Sequence, residues 1–527
     1  MSGLGARLRA AGSQLASQYG MLAVLLLLAG FFSLATIREQ QPSGARAADA
    51  ILARLDAAVA AQAAAPSSGA ASAGAPVAIA VREGEDGAAF AARLAAGLAR
   101  RGIPVAATVQ GEPADLRRAL ERLVAEPATE PAAEPAEELP AAEGPAAEAP
   151  DAERPAGRSA GALRVATLAP NAPAVRTVLD ATPGYAGAEV LVAPSYRWPT
   201  FLLPDNVRNI ANQISVIAIL AVGMTMVILT GGIDLSVGSL IALSAVVATG
   251  TIAHAGGADA TGTVLLAGAL AGILACGLTG LLSGLAITRF DVPPFIATLG
   301  MMQVASGLAY LLSAGRPIYQ VPGRFVALGR GAEPVLGLPY AVLLMVALFA
   351  AAHLLMTRTV LGRHIYAVGG NAEASRLAGV RVRAVLLFVY TVSGLLAGLG
   401  GIVMASQLKS GAPTYGLSYE LYVIAAVVVG GTSLSGGEGR ILGTLVGAFI
   451  IAVIQNGMNL TNVESYTQKV VLGLVILGAV LLDRLKHRGW LRRRFRLRPR
   501  WPISRSSGAS SSASAAVQPP SGREESR

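Results

Sequence analysis

Charged residues are scarce in this chain, and the shortage argues against a soluble fold. Asp, Glu, Lys and Arg make up 14% of its 527 residues, whereas about 25% is usual in a soluble globular protein. Hydrophobic residues make up 53%, and several apolar runs reach the roughly 20 residues that an α-helix needs to cross a bilayer. The composition predicts an all-α polytopic membrane protein.

Groups that carry out chemistry are also few. Cys276 is the only cysteine, so no disulfide can form within one chain, and its position among Ala, Gly and Leu suits a small apolar filler. No His, Cys or carboxylate cluster has metal-ligand spacing, and no nucleophile with a nearby base stands out. The phosphate-binding pattern G-x-x-x-x-G-K-[ST] is absent from the sequence. We expect no catalysis, cofactor or metal on this chain.

The apolar runs predict about ten transmembrane helices. The first, at residues 19–37, follows Arg7 and Arg9 and is either a signal anchor or a cleaved signal peptide ending near Ala45 and Ala47. We favour a retained helix because the run is long enough to span. The nine further spans are predicted at 212–231, 235–254, 263–288, 293–313, 338–357, 384–405, 420–432, 441–458 and 468–483.

Residues 38–195 contain no spanning run and form an insert between the first and second spans. Strand-like and helix-like segments alternate within it, which predicts a small α/β domain. Residues 126–157 repeat Glu, Pro and Ala, a composition typical of a disordered acidic linker. The predicted strands are at 77–81, 105–109, 163–168 and 188–193, and the predicted helices are at 88–101, 114–124 and 174–179.

Basic residues predict the orientation, because Lys and Arg in short loops favour the cytoplasmic side. The loop at 358–383 carries five Arg residues, and ten basic residues lie between Asp483 and Arg505. Both segments are predicted inside, which places both termini in the cytoplasm and the 38–195 insert outside. This bias explains the net charge of +10 better than nucleic-acid binding does. The predicted domains are residues 1–37 (cytoplasmic terminus and first helix), 38–195 (extracytoplasmic insert), 196–484 (transmembrane domain) and 485–527 (basic cytoplasmic tail, disordered at its end).

One acidic residue lies between two predicted spans, in the run ILTGGIDLSVGSL at 228–240. A carboxylate facing lipid costs several kcal/mol, so Asp234 is expected to cap the following helix or to face protein or water. Gly231, Gly232 and Gly238 permit a tight turn and close helix packing.

This region resembles a known family. The run at 213–240, QISVIAILAVGMTMVILTGGIDLSVGSL, is similar to the signature of ribose-type sugar ABC transporter permeases, and it includes Gly231, Gly232, Asp234, Ser236 and Gly238. The similarity continues through DVPPFIATLGMM at 291–302, TVLGRHIYAVGGNAEASRLAGV at 359–380 and VVGGTSLSGGEGRILGTLVGA at 428–448, and it covers residues 206–484.

The resemblance implies a bacterial inner-membrane importer subunit with several partners. These are a second permease copy, most simply as a homodimer in membrane lipid, a cytoplasmic ATPase that uses the ATP, and an extracytoplasmic sugar-binding protein. Pentoses and hexoses are the favoured substrates, and nucleosides, furanone-type autoinducers and branched-chain amino acids are less favoured. The long insert departs from the family pattern, and it is either a spacer or an element that docks the binding protein or holds part of the solute.

The basic loop at 359–380 is predicted to contain a short amphipathic helix at 372–377, opened by Asn371, a good N-cap residue. An exposed helix of this kind suits docking, although a solvated basic loop that only sets orientation has the same composition. The resemblance makes it the loop that couples to the ATPase, with Gly370, Asn371, Glu373, Ala374, Arg376 and Gly379 at the matching positions.

The string LSGGE at 434–438 is similar to the signature by which ABC ATPases hold nucleotide. It lies in a short loop between two apolar spans, and no phosphate-binding loop accompanies it. A glycine-rich cytoplasmic turn is the better interpretation.

Polar residues within or beside the spans are candidates for the substrate path, because sugar hydroxyls need hydrogen-bonding partners. Hydrogen bonds between helices explain such residues equally well. The candidates are Asn212, Gln213, Gln303, Gln455, Asn456 and Asn459.

Two other function classes fit parts of the sequence. In an ion-coupled secondary transporter or channel, an intramembrane acid such as Asp234 would bind the ion or proton, and no ATPase would be needed. An anchored extracellular sensor would need far fewer than nine spans after its external domain.

Overall fold

A computed structural model describes residues 20–64, 75–125, 163–182, 185, 188–335 and 337–487. The predicted acidic linker at 126–157, the segment before residue 20 and most of the basic tail lie outside these described residues. The first part of the chain contains α1 (Gly20–Ala35), β1 (Ile37–Gln40), α2 (Gly44–Ala64), β2 (Val77–Val81), α3 (Glu85–Ala99), β3 (Val105–Gln110), α4 (Pro113–Ala125), β4 (Arg164–Thr167), α5 (Ala172–Ala181), β5 (Glu189–Leu191) and β6 (Tyr196–Pro199).

Four of these strands form one parallel sheet in the order β3-β2-β4-β5. All five residues of β2 are apolar and buried, as expected for a strand covered on both faces. Val77, Ile79 and Val81 pack with α2 and α3, whereas Ala78 and Ala80 pack with α4 and α5. Helix α2 was not predicted from the sequence. Its Ala-rich composition favours a helix but shows no clear apolar face that would have marked it.

Strands β1 and β6 form a two-stranded antiparallel ladder that closes the insert at its base. Ile37 pairs with Pro199, and Gln40 pairs with Tyr196, so the chain leaves and returns at one place. The aromatic ring of Phe32 stacks on that of Phe201 with 6.3 Å between centroids. We call β1, β6 and this aromatic pair the stalk.

Because the stalk joins both ends of the insert, deleting residues 41–195 should leave the membrane helices folded. With an Asn-Gly turn joining Gln40 to Tyr196, the shortened ladder becomes a simple hairpin. We expect a monodisperse protein in detergent whose thermal midpoint lies within about 5 °C of the full chain. Aggregation of the deletion variant, measured by size-exclusion chromatography, would show instead that the membrane helices need the insert.

The rest of the described chain is helical. Seven helices of the described residues are long and apolar enough to cross a membrane, and three shorter apolar helices accompany them, at Gly20–Ala35, Tyr419–Val429 and Ser465–Leu481. The helices after the stalk are α6 (Pro204–Leu229), α7 (Val237–His254), α8 (Gly262–Arg289), α9 (Pro294–Leu312), α10 (Gly323–Arg330), α11 (Tyr340–Arg358), α12 (Val360–Gly370), α13 (Ala372–Leu377), α14 (Val382–Leu408), α15 (Tyr419–Val429), α16 (Ile441–Leu460) and α17 (Ser465–His487).

Helix α6 lies at the centre of the bundle. In its most apolar stretch 89% of the residues are buried, against 17% in α9. Small residues let α8 approach α14 closely, as is usual in membrane bundles: a Cβ on Gly398 would lie 2.8 Å from the Cα of Ile273. Cys276 is buried in this contact, and its thiol donates to the carbonyl oxygen of Leu240 at 3.2 Å.

Helix α15 is short. Its 11 residues extend about 16 Å, so this helix alone is too short to cross a bilayer. The short span predicted at 420–432 fits a broken or re-entrant helix shielded by protein. The segment before α15 packs closely along α7, as Gly411 shows: a Cβ on this residue would lie 2.6 Å from the carbonyl oxygen of Ala245. This buried backbone brings the start of α15 into the bundle.

Candidate functional site: coupling loop, glycine junction and polar cavity

Helix α13 is exposed and is opened by an asparagine cap. The Asn371 side chain accepts a hydrogen bond from the backbone amide of Ala374 at 2.9 Å, as the sequence predicts. Ser375 is the one buried residue of the helix, whereas Leu377 is 77% exposed. Gly379 ends the helix with a positive φ of 87°, which suits glycine after a helix.

An ion pair lies on the exposed face of α13. Nε of Arg376 donates to the Glu373 carboxylate at 3.1 Å, and both side chains are about two-thirds exposed. The hydrogen bonds and positive charge of Arg376 lower the pKa of Glu373. The exposed Leu377 directly follows this pair in the chain.

Helix α12 connects this exposed helix to the bundle. The Thr359 hydroxyl accepts from the amide of Gly362 at 3.1 Å and caps the helix start. Ile365 and Val368 are buried, and the Tyr366 hydroxyl donates to the carbonyl oxygen of Gly439 at 2.9 Å. The Tyr366 hydroxyl therefore links α12 to the loop before α16.

Three glycine-rich segments meet where α12 ends. The amide of Gly437 donates to the carbonyl oxygen of Leu229 at 2.9 Å. A Cβ on Gly369 would overlap that same carbonyl oxygen and would lie 2.6 Å from the Gly437 nitrogen, while one on Gly436 would lie 2.9 Å from the Gly369 carbonyl oxygen. We call Leu229, Gly369, Gly436 and Gly437 the glycine junction. It joins the ends of α6 and α12 to the turn between α15 and α16 through close backbone contacts.

The LSGGE string belongs to this junction. Its residues form a turn between α15 and α16 in which the amide of Ser433 donates to the carbonyl oxygen of Glu438 at 2.9 Å. Gly436 and Gly437 have φ values of 83° and 74°, which glycine adopts without strain. The glycines of the string thus have a packing role in this chain.

The signature turn buries its carboxylate. Oδ1 of Asp234 accepts from the Ser236 amide at 3.0 Å and from its hydroxyl at 2.6 Å, and Oδ2 accepts from the Ser393 hydroxyl at 2.8 Å. Ser236 is the N-cap residue of α7, so Asp234 supports the cap from outside the helix instead of bonding to its first-turn amides. Gly232 leaves room for the Tyr390 hydroxyl, and Gly238 leaves room for the Gly416 carbonyl and the Glu420 carboxylate.

The six predicted path residues occupy different environments. Gln213 and Gln455 line one cavity of about 220 Å³. Asn212 lies behind it and accepts, through its carbonyl oxygen, from the Gln407 side chain at 2.8 Å. Asn456 exchanges two hydrogen bonds with Asn206, Asn459 accepts from Gln468, and Gln303 is exposed on α9 and is not a cavity residue.

Two cavity residues were missed by the sequence. Gln407 and Tyr419 line the cavity but fall between the spans predicted at 384–405 and 420–432, where no span was assigned. The only sequence feature that could have identified them is that they are polar residues in the part of the chain that resembles the permease family. Among the described residues, no group of three or more His, Cys, Asp or Glu side chains could hold a metal ion.

A bundle of long apolar helices, an exposed helix fixed to its core, and a polar cavity between helices define a polytopic membrane permease. The family described as the permease component of branched-chain amino acid transport systems matches residues 206–480. The chain belongs to this permease family, and within it to the ribose-type sugar ABC permeases.

Individual relatives match the same part of the chain. The ribose import permease protein of Bacillus subtilis (strain 168) is 45% identical over 290 residues, which are 55% of this chain and 87% of the relative. An L-arabinose ABC transporter permease protein of Azospirillum brasilense is 38% identical over 288 residues, 55% of this chain and 82% of the relative. The D-allose transport system permease protein of Escherichia coli (strain K12) is 36% identical over 294 residues, with 56% and 86% covered. No solved structure gives a significant match. The insert lies outside the family match.

Proposed function

We propose that this chain is the membrane-spanning subunit of an importer that takes up a pentose or hexose, delivered by an extracytoplasmic binding protein and driven by a separate ATPase. The observation that carries the proposal is the exposed helix α13, which is fixed through α12 to the glycine junction at the end of the central helix. A partner that moves α13 would move the ends of α6 and α16 with it.

Helix α6 supports the proposal that the insert and α13 lie on opposite sides of the membrane. Its first residue, Pro204, comes shortly after the stalk, and its last residue, Leu229, is part of the glycine junction. Its 26 residues extend about 39 Å, enough to cross the hydrocarbon. The five Arg residues of the loop at 358–383 favour the cytoplasm for α13. We therefore place the insert outside and both termini inside.

A sugar is the favoured cargo because the relatives are named for ribose, L-arabinose and D-allose. A second copy of the chain would complete the path, since the resembled importers use two permease subunits.

Ion coupling through Asp234 is not favoured by its surroundings. Both carboxylate oxygens accept hydrogen bonds from serine groups, and the residue is 1% exposed. Serine groups thus use three of the roughly four acceptor positions of the carboxylate, which favours a role in stabilising the turn.

The double change Glu373→Ala and Arg376→Ala should weaken binding of the ATPase. The exposed pair forms the charged face of α13, and charged contacts at an interface rim contribute mainly to specificity and association rate. We expect about a three- to tenfold loss of ATPase recovered in a mild-detergent pull-down. Asp205→Ala with Arg208→Ala is the matched control, since this pair is also exposed and spaced i,i+3 but lies at the opposite end of the bundle.

Mass spectrometry of the recovered partners tests the proposed function itself. Recovery of an ATPase subunit and a sugar-binding protein, with only the α13 variant losing the ATPase, is the expected result. Equal loss in the control variant would remove α13 as the docking site. Recovery of the permease alone from several detergents would contradict the importer.

A further inference from the structure

The cavity of about 220 Å³ lies between α6, α14, the start of α15 and α16. It is close to the stalk: Gln455 is followed by Asn456, which bonds to Asn206 at the start of α6. Arg38 of β1 donates to the carbonyl oxygen of Leu460 at the end of α16 at 3.2 Å. The cavity is therefore in the half of the bundle on the side of the insert.

Two glutamine side chains in this cavity have no protein partner. Within the described chain, the side-chain amides of Gln213 and Gln455 make no hydrogen bond, although both line the cavity. Each amide offers two N–H donors and one carbonyl acceptor. They come from different helices, α6 and α16, so they can bind one solute from two sides.

A third glutamine is held in place by its neighbours. The Nε2 group of Gln407 donates to the carbonyl oxygen of Asn212 at 2.8 Å and lies 3.3 Å from the Asn212 side-chain oxygen. This bond leaves the side-chain oxygen Oε1 of Gln407 as an acceptor without a partner among the described residues, whereas the backbone carbonyl oxygen of Gln407 accepts from Arg330. Tyr419 adds an aromatic ring and a hydroxyl to the same cavity.

The remaining walls are apolar, from residues such as Ile214, Ile217 and Met404. Ligand sites commonly combine apolar walls with a few placed polar groups that fix orientation. A sugar presents both C–H faces and hydroxyl groups that donate and accept, which matches neutral amides better than charged side chains would.

We infer that Gln213, Gln407, Gln455 and Tyr419 form a transient binding site for a single neutral sugar at the outer entrance of the path. The inference rests on the proposed function, because it assigns the position at which the transported sugar first contacts the membrane subunit. Neutral hydrogen-bonding groups without a charge keep binding weak, so that the sugar can leave toward the inside.

Uptake of radiolabelled D-ribose, L-arabinose and D-allose by cells producing the complete importer tests the site. We expect Gln213→Leu and Gln455→Leu each to lower uptake about three- to tenfold, and the double variant to lower it further, since each loses a hydrogen-bonding group at the sugar. ATPase recovery in the pull-down should stay unchanged. Gln303→Leu is the matched control, because it removes a glutamine that is exposed on α9 and is not a cavity residue.

Thiol labelling supplies a second readout that does not depend on transport. In a Cys276→Ser background, Gln455→Cys provides the only thiol of the chain. A membrane-impermeant methanethiosulfonate reagent added outside should label it, and the transported sugar should slow the labelling at least about twofold. Absence of labelling, or labelling that none of the three sugars slows, would overturn the site.

Failure of the cavity site and failure of the proposed function would give different results. Normal ATP-dependent uptake that is insensitive to Gln213→Leu and Gln455→Leu would overturn the cavity site alone. No ATP-dependent uptake of any of the three sugars by the unaltered importer would overturn the proposed cargo.

Discussion

Replacing Gly369 by alanine is expected to reduce ATP-driven uptake by about 5- to 150-fold. The overpacking cost of about 1–3 kcal/mol disfavours the close contact of α12 with α6 that we propose couples uptake to the ATPase, and a free-energy difference of this size changes the population of that arrangement by about 5- to 150-fold. The added Cβ would overlap the carbonyl oxygen of Leu229 and crowd the nitrogen of Gly437. Those two atoms form the hydrogen bond of the glycine junction. Because they belong to the backbone, no side-chain rotation can relieve the overlap, and α12 must move away from α6.

Gly307→Ala is the control for this change, since a Cβ there meets nothing within 4 Å and the residue also lies within a helix. Uptake by whole cells or by right-side-out membrane vesicles, normalised to the amount of membrane-inserted protein, gives the comparison. The expected result is a strong loss for Gly369→Ala with near-normal uptake for Gly307→Ala. Equal uptake by the two variants would show that the glycine junction does not transmit movement.

Replacing Asp234 by leucine is expected to destabilise the bundle severely. The change leaves the amide and hydroxyl of Ser236 and the hydroxyl of Ser393 without their acceptor. An unsatisfied buried donor costs about 1–3 kcal/mol, so the loss should be several kcal/mol and little folded protein should accumulate. The yield and the thermal midpoint of the purified variant measure the effect.

Asp234→Asn is the informative companion. Its carbonyl oxygen can still accept from Ser236, and its amide can donate to Ser393, whose hydroxyl oxygen is an acceptor as well. We expect the asparagine variant to fold and to keep uptake within about tenfold of the unaltered protein. If the variant folds and binds the ATPase yet loses all uptake, the negative charge itself takes part in transport, as the ion-coupled alternative requires.

Local signals were sufficient for parts of the structure. The helix at 372–377 was predicted with its observed bounds because an N-cap asparagine acts within one turn of its own position. Most of the spans were predicted within a few residues because the length of an apolar run is itself the signal. Helix α12 was missed, since it is a short amphipathic helix inside a basic loop that the sequence marked only for orientation.

Long-range contacts were beyond the sequence. Leu229 and Gly437 touch through backbone atoms across about 200 residues of chain, and a backbone contact leaves no side-chain pattern except the presence of glycine. The same holds for the Asn206–Asn456 pair, which are 250 residues apart. A list of polar residues in spans could not separate this structural pair from Gln213 and Gln455, because the difference depends on which way each helix faces.

The structure therefore changes the roles assigned to the predicted substrate-path residues. Asn456 and Asn459 bond to other side chains and stabilise contacts at the end of α16 near the stalk, whereas Gln407 belongs to the cavity without having been predicted. The predicted coupling residues remain proposals, supported by the exposure of α13 and by its attachment to the bundle through α12.

Transport by purified components would decide most directly whether this chain works with an ATPase. The chain would be reconstituted into liposomes together with the ATPase and binding protein that copurify with it, with no ion gradient across the membrane. Uptake of labelled D-ribose, L-arabinose or D-allose that requires ATP inside, the ATPase and the binding protein is the expected result. Uptake by the chain alone, driven by a sodium or proton gradient and indifferent to ATP, would contradict it.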